Sequence, residues 1–169
     1  MTKPEKQIKQ NGSGKIVISI DAMGGDHGSS VVIDGISKSL EKNDRLLFLI
    51  HGNAEQLEKC LADKPKVRSA CEIVGTKNVV QMDEKPSNAL RSGKDTSMWS
   101  TLLSLRNGDA DIAISCGNTG ALMAMAMVQL RKIQGLNRPA IAILWPSTNK
   151  HGFNVVLDAG ADIRADSQD

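Results

Sequence analysis

The run Ile16-Val17-Ile18-Ser19-Ile20 leads directly into Asp21-Ala22-Met23-Gly24-Gly25-Asp26. The nearly continuous β-branched run predicts a strand that is covered on both faces. The glycine-bearing stretch ends this strand, and Ser29 or Ser30 can then cap a helix that runs to about Leu40. A strand, a glycine turn and a helix in this order are typical of an α/β protein.

The same alternation of apolar runs and helical segments continues along the chain. We predict further strands over 46–50, 71–74, 111–115, 140–144 and 154–158, and helices over about 54–62, 86–105 and from the turn at 116–120 to about 133. Ser92-Gly93 interrupts the second of these helices, and residues 79–82 extend or flank the third strand. The pattern favours a layered α/β/α domain over 15–169 with a mostly parallel sheet, preceded by a flexible tail over 1–14. Since no helix separates the last two strands, they can form an antiparallel pair.

Composition and charge exclude several classes of protein. The chain has 169 residues and a net charge of +2, with two Phe, two Trp and no Tyr. This predicts no nucleic-acid partner, because neither a basic excess nor aromatic stacking platforms are present. The three cysteines have no C-x-x-C spacing and the three histidines have no metal-binding spacing, so we expect no disulfide framework, no metal and a cytoplasmic location. No apolar run approaches the roughly 20 residues that span a bilayer.

Ligands of open α/β sheets bind at the carboxyl ends of the strands, and the first candidate is the turn after the first strand. Gly24 and Gly25 would allow backbone N–H groups to approach an anion closely. The alternative is that the two glycines only provide the dihedral angles of a tight turn. The neighbouring carboxylates would repel a bare phosphate. Asp21 and Asp26 therefore suit an orienting role, in which they hydrogen-bond to neighbouring donors.

The second candidate is Ser115-Cys116-Gly117-Asn118-Thr119-Gly120, again a turn between a strand and a helix. Asn118 or Thr119 can cap the helix, and with the backbone of Gly117 and Gly120 they can also hold a phosphate or a carbonyl oxyanion. Cys116 has no obvious base to activate it as a nucleophile, so a small buried cysteine is the favoured interpretation.

The third candidate combines two cations and three hydroxyls within seven residues: Arg91, Ser92, Lys94, Thr96 and Ser97. Cations and hydroxyls together suit phosphate, whereas the alternative is a solvated face with a capped restart of the helix. Arg138, just before a predicted strand, is a further candidate cation.

Taken together, these segments resemble the bacterial phosphate acyltransferases of phospholipid synthesis. Five motifs carry the resemblance, in the order of that family: Asp21-Ala22-Met23-Gly24-Gly25-Asp26, Pro86-Ser87-Asn88-Ala89-Leu90-Arg91 with Lys94 and Ser97-Met98, Cys116-Gly117-Asn118-Thr119-Gly120-Ala121, Arg138-Pro139-Ala140, and Leu157-Asp158-Ala159-Gly160-Ala161. Two departures stand out. Ser92-Gly93 and Asp95-Thr96 occupy positions at which the family tends to be more basic and richer in serine, and family members are about twice as long as this chain.

The resemblance implies a fold similar to that of phosphotransacetylases and isopropylmalate dehydrogenases. It implies transfer of a fatty acyl group from acyl-acyl carrier protein to inorganic phosphate, with no metal or redox cofactor. It also implies a homodimer, peripheral membrane contact and a glycerol-3-phosphate acyltransferase downstream.

On this interpretation the site residues have distinct roles. Lys94 and Arg91 hold phosphate, with Ser97 and Thr96 completing its hydrogen bonds. Asn118 and Thr119 line the reacting centre together with the turn glycines, and Arg138 contacts phosphate or the carrier's phosphopantetheine.

Two other functions fit the same architecture. One is a short-chain phosphotransacetylase that uses acyl-coenzyme A, and the other is a non-catalytic module that binds an anion or another subunit. The chain also stops at what reads as a strand-to-turn junction near 157–162, where a crossover helix is expected. We therefore expect the N-terminal portion of a longer enzyme.

Overall fold

A computed structural model describes residues 14–130 and 142–157 of the chain. The chain divides into two compact units, Met1–Gln129 and Leu130–Asp169. The first contains four strands: β1 (Ile16–Asp21), β2 (Leu46–Gly52), β3 (Cys71–Gly75) and β4 (Ile112–Ser115). Its helices are α1 (Gly28–Lys42), α2 (Ala54–Leu61), α3 (Pro65–Ser69), α4 (Pro86–Ser92), α5 (Ser97–Asn107) and α6 (Thr119–Leu130).

The four strands form one parallel sheet in the order β3-β2-β1-β4. β1 lies in the interior of the sheet, and the register places Asp21 beside His51 on one side and beside Ser115 on the other. The predicted parallel α/β architecture is confirmed. Because all four strands run in the same direction, the loops after β1, β2, β3 and β4 emerge at one edge.

Side-chain alternation along β1 separates two cores. Ile18 and Ile20 belong to the cluster made by α1, α2 and β2, in which Ile33, Ile50 and Leu57 are fully buried. Ser19 and Asp21 point to the opposite face, where the hydroxyl of Ser19 donates to the carbonyl oxygen of Thr101 on α5 at 3.1 Å. A second cluster lies on that face, formed by Val80, Ala89, Met98, Leu102, Ala121 and Met125.

The predicted break in the long helical region is present. α4 ends at Ser92, a 3₁₀ turn covers Gly93–Asp95, and α5 starts at Ser97. Thr96 makes the restart possible, since its side chain accepts a hydrogen bond from the Trp99 N–H while its own hydroxyl donates to the carbonyl oxygen of Gly93. The helix then ends at Gly108, whose φ of 84° is the left-handed conformation common at helix ends.

Two local predictions were wrong. Neither Ser29 nor Ser30 caps α1, because the helix already begins at Gly28 and His27 makes no side-chain capping hydrogen bond. Residues 79–82 form no strand. Val80 is buried in the second core cluster instead, and a single parallel bridge joins Asn78 to Thr96.

The described part of the second unit is an antiparallel hairpin of β5 (Ala142–Pro146) and β6 (Phe153–Leu157). The antiparallel pair predicted for the end of the chain is confirmed. Its turn is closed by the Ser147 N–H, which donates to the carbonyl oxygen of Gly152 at 3.0 Å. Across the two described ranges, no helix has the length and apolar character needed to cross a membrane.

His51, near the end of β2, is a completely buried polar residue whose side chain faces α5. Its Nε2 lies 2.8 Å from the Ser19 hydroxyl and its Nδ1 lies 2.8 Å from the Ser100 hydroxyl. Burial lowers the pKa of His51 to about 4, because the imidazolium form would lose its hydration. The ring is therefore neutral at pH 7.

We predict that this buried ring makes the fold acid-sensitive between pH 6.5 and 4. In that range the unfolded chain binds a proton at His51 and the folded chain does not, so the free energy of unfolding falls as the pH falls, by about 3 kcal/mol in full. Chemical denaturation of the wild type at a series of pH values measures this loss. His51→Gln should show a shallower slope over the same range, whereas His27→Gln, at an exposed position, should retain the wild-type slope. Equal slopes in all three proteins would contradict the prediction.

Candidate functional site

The loops after β1 and β4 are joined by the carboxylate of Asp21. This side chain is 2% exposed, and its Oδ2 accepts a hydrogen bond of 2.8 Å from the Ser115 hydroxyl. The Ser115 oxygen in turn accepts the Gly117 N–H at 3.0 Å. Oδ1 of Asp21 accepts the N–H groups of Met23 and Gly24 at 3.3 and 3.2 Å. A buried carboxylate with these partners fixes both turns in one geometry.

Gly24 is required at this junction by close approach rather than by its dihedral angles. A Cβ at this position would lie 2.7 Å from Oδ2 of Asp21 and 2.8 Å from the backbone nitrogen of Gly117. Gly25, by contrast, has a φ of 95°, which residues with a side chain rarely adopt. The Gly24 N–H already donates to Asp21, and Asp26 is exposed at the end of the turn.

Asn118 anchors the loop that leads from β3 to α4. Its side-chain amide donates to the carbonyl oxygens of Gln81, Met82 and Glu84 at 3.2, 3.0 and 2.8 Å. Its Oδ1 accepts the Ala121 N–H at 3.0 Å and so caps the first turn of α6. Asn118 therefore has the capping role predicted for this turn. Its side-chain N–H groups are all bonded to other parts of the protein.

The rest of the β4 turn meets the start of α4. Thr119 is exposed at the first position of α6. A Cβ on Gly120 would lie 2.8 Å from Cγ of Pro86, so this glycine allows α4 and α6 to approach each other closely. Gly93 makes the equivalent contact with Met125 on α6. The three segments selected from the sequence are thus packed against one another through their glycines.

The side chains of the third segment differ in their surroundings. Ser97 is fully buried, and its hydroxyl has no hydrogen-bond partner within the described part of the chain. The hydroxyl of Thr96 is occupied by the cap of α5. Arg91 is exposed and donates from Nε to the carbonyl oxygen of Ser87 at 3.4 Å. Lys94 is exposed on the 3₁₀ turn, and Arg138 lies outside the described residues.

Two separate hollows lie beside these segments. One, of about 230 Å³, is the polar cleft, lined by Gly75, Thr76, Lys77, Lys94, Asp95 and Ser100. The other, of about 490 Å³, has Gly24, Gly25, Asp26 and Cys116 at its polar side and apolar residues of α1, β1 and β4 elsewhere. The turns of β1 and β4 thus share one hollow, whereas Lys94 lines the other.

Asp21 was expected to hydrogen-bond to neighbouring donors, and it accepts three such bonds. Three other residues of this region went unassigned from the sequence: Ser115 appeared there only as a member of a motif, and Thr76 and Ser100 were not singled out at all. Each is a single polar residue in an otherwise ordinary segment, so only the fold reveals its role. Cys116, favoured as a small buried cysteine, is exposed because its turn lies at the open edge of the sheet.

Comparison with known proteins gives a consistent picture. The family model described as "Fatty acid synthesis protein" matches residues 16–169. A phosphate acyltransferase of Jannaschia sp. is 56% identical over 162 residues, which cover 96% of this chain and 44% of that protein. Phosphate acyltransferases of Ruegeria sp. (57% identical; 92% of this chain, 41% of the relative) and Paracoccus denitrificans (56%; 91% and 42%) are similarly close.

The chain belongs to the fatty acid synthesis protein family. The family resemblance inferred from the five motifs is confirmed. The chain spans less than half the length of these curated relatives, so the structure describes only part of what a family member of that length contains.

We predict that Gly24→Ala destabilises the protein. The new methyl group would meet the Asp21 carboxylate and the Gly117 backbone, and such overpacking costs about 1–3 kcal/mol. Gly35→Ala is the matched control, because its Cβ would meet nothing within 4 Å and alanine favours a helix interior by about 0.5–1 kcal/mol. Denaturant unfolding compares the two variants. A Gly24→Ala protein as stable as Gly35→Ala would show that the turns can separate freely.

A second prediction concerns the Asn118 anchor. Asn118→Asp keeps an oxygen for the Ala121 N–H but places a carboxylate against three carbonyl oxygens, so the loop over 76–85 should detach while α6 stays capped. Amide hydrogen exchange should accelerate in that loop and stay slow in α6. Asn118→Ala, which loses both functions, should affect both segments. Unchanged exchange in the loop of the aspartate variant would contradict the anchoring role.

Proposed function

We propose that this chain forms part of the active site of an enzyme that transfers a fatty acyl group from acyl-acyl carrier protein to inorganic phosphate. One observation carries the proposal: a chain of this family has a cleft lined by two lysines, one aspartate and two hydroxyl side chains, close to the carboxyl end of its sheet. The lysines supply the positive charge that binds a phosphate anion, and oxygen acceptors can bind the proton of its monohydrogen form. The names of the relatives supply the reaction class, since each is called a phosphate acyltransferase.

The reaction needs positioning and charge stabilisation rather than a protein nucleophile. A phosphate oxygen attacks the thioester carbonyl carbon, and the carbonyl oxygen carries the negative charge of the tetrahedral intermediate. When the C–S bond breaks, the proton of monohydrogen phosphate goes to the leaving thiolate. The products are acyl-phosphate and the free thiol of the carrier, and the atoms and charges balance.

We assign the phosphate to the cations of the third segment. Lys94 lines the polar cleft and has no ion-pair partner among the described residues, so its full charge is available to an anion. Arg91 supplies a second charge from α4. In this scheme Thr96 contributes by capping α5, which fixes the position of the 3₁₀ turn. Ser97 is fully buried, so in this scheme it contributes through its backbone N–H, which donates to the carbonyl oxygen of Asn78 and holds the wall of the cleft.

We assign the thioester to the β1 and β4 turns, which line a different hollow from Lys94. The scheme therefore requires that the phosphate and the thioester meet at the carboxyl edge of the sheet, which both hollows adjoin. In this scheme Thr119 and the backbone of Gly117 and Gly120 line the reacting centre. Asn118, proposed from the sequence for the same centre, contributes by anchoring the loop after β3. Gly24 and Gly25 permit the close backbone approach, and Asp26 orients neighbouring donors. Arg138 is proposed to contact phosphate or phosphopantetheine. Homodimer formation, peripheral membrane contact and delivery of the product to a glycerol-3-phosphate acyltransferase stay predictions.

We predict that Lys94→Ala lowers acyl-phosphate formation by about tenfold or more, because it removes a charge that attracts and holds phosphate. The variant is made in a full-length protein that contains this chain. Product is measured with acyl-acyl carrier protein and inorganic phosphate as substrates.

Lys66→Ala is the matched control, because Lys66 is an exposed lysine on α3 with no side-chain partner among the described residues. Its turnover should equal that of the wild type. Wild-type turnover in a folded Lys94→Ala protein would remove the assignment of Lys94. A series of acyl donors of increasing length distinguishes this activity from short-chain phosphotransacetylation.

A further inference from the structure

The polar cleft is bounded by segments that the backbone holds together. The Thr76 N–H donates to the carbonyl oxygen of Gly52 at 2.8 Å, which extends the pairing of β2 and β3 by one residue. Asn78 then bonds to the 3₁₀ turn and α5, since its N–H donates to the carbonyl oxygen of Asp95 at 3.3 Å and its own carbonyl oxygen accepts the Ser97 N–H at 3.1 Å. Backbone hydrogen bonds therefore hold the walls of the cleft in fixed positions relative to one another.

One set of groups in the cleft can donate hydrogen bonds. Lys77 and Lys94 each present an ammonium group, and neither forms an ion pair within the part of the chain that the structure describes. The hydroxyl oxygen of Thr76 is buried and has no hydrogen-bond partner there either. An unsatisfied buried hydroxyl is costly, so a ligand oxygen that accepts its proton would relieve that cost.

A second set of groups in the cleft can only accept. The Ser19 hydroxyl has one proton, and we assign it to the carbonyl oxygen of Thr101, which can only accept. The Ser19 oxygen therefore accepts from Nε2–H of the neutral His51 ring, and Nδ1 of His51 is left as an acceptor. Nδ1 takes the Ser100 proton at 2.8 Å, so the Ser100 oxygen offers only lone pairs to the cleft. The Asp95 carboxylate is the other acceptor.

We infer that the cleft recognises the phosphate substrate by its proton, binding monohydrogen phosphate and rejecting sulfate. This rests on the proposed function for the choice of phosphate as the anion. Phosphate and sulfate are both tetrahedral dianions, but only monohydrogen phosphate has an O–H to donate to Asp95 or Ser100. Sulfate would place a bare oxygen against a carboxylate, and that repulsion is the basis of discrimination. The recognised proton is the one that leaves with the carrier thiol.

Isothermal titration calorimetry of the chain with inorganic phosphate and with sulfate, at constant ionic strength, tests this inference. The wild type should bind phosphate at least about tenfold more tightly than sulfate. In Asp95→Asn the amide can donate to a bare oxygen, so sulfate affinity should rise and the preference should largely vanish. Ser100→Ala should weaken phosphate binding with little effect on sulfate, whereas Ser104→Ala, one turn further along α5, should match the wild type.

Several outcomes would overturn the inference. These are equal affinity for the two anions, no binding of either anion, or a phosphate preference that survives both Asp95→Asn and Ser100→Ala. The measurement uses no acyl donor, so it is separate from the test of acyl transfer. A protein that discriminates between the anions but forms no acyl-phosphate would contradict the proposed function and leave the binding site in place.

Discussion

The buried carboxylate of Asp21 is the constraint on which the edge of the sheet depends. A carboxyl group at 2% exposure is tolerated only when hydrogen bonds replace its hydration, and here one hydroxyl and two backbone N–H groups do so. These bonds require that the β1 and β4 turns touch. That contact leaves no space for a Cβ at position 24, which explains the first glycine of the pair.

Much of the fold could be predicted from the sequence because its signals are local. The β-branched run at 16–20 and the glycine at position 93 each indicate their structure without reference to distant residues. Residues 79–82 show where this fails. Val80 is a residue type common in strands, but the hydrogen bonds from Asn118 hold this loop in another conformation. Because these bonds go to backbone carbonyl oxygens of the loop, no side chain there indicates them in the sequence.

The candidate site was only partly predictable, for a related reason. Lys94 was found because cations and hydroxyls cluster near it in sequence, whereas Thr76 and Ser100 reach the same cleft from separate segments. The acceptor character of Ser100 depends on His51 and Ser19, which lie 49 and 81 residues away from it along the chain. Only the parallel pairing of β1 and β2, with α5 packed across them, brings these three side chains together.

The polar residues of β1 and β2 therefore have a different role from the apolar ones. Ile18 and Ile20 bury apolar surface on one face of the sheet, while Ser19, Asp21 and His51 are buried on the other face. Apolar residues at these three positions would need no hydrogen-bond partners, whereas the polar side chains are costly to bury unless each one is bonded. Their hydrogen bonds fix the orientation of Ser100 and of both turns before any ligand arrives. A site that is preorganised in this way does not have to reorient its dipoles during the reaction, and such reorientation is a major part of the barrier in water. Burying these polar groups under α5 costs free energy, but their hydrogen bonds hold Ser100 and the β1 and β4 turns in one geometry at the carboxyl edge of the sheet.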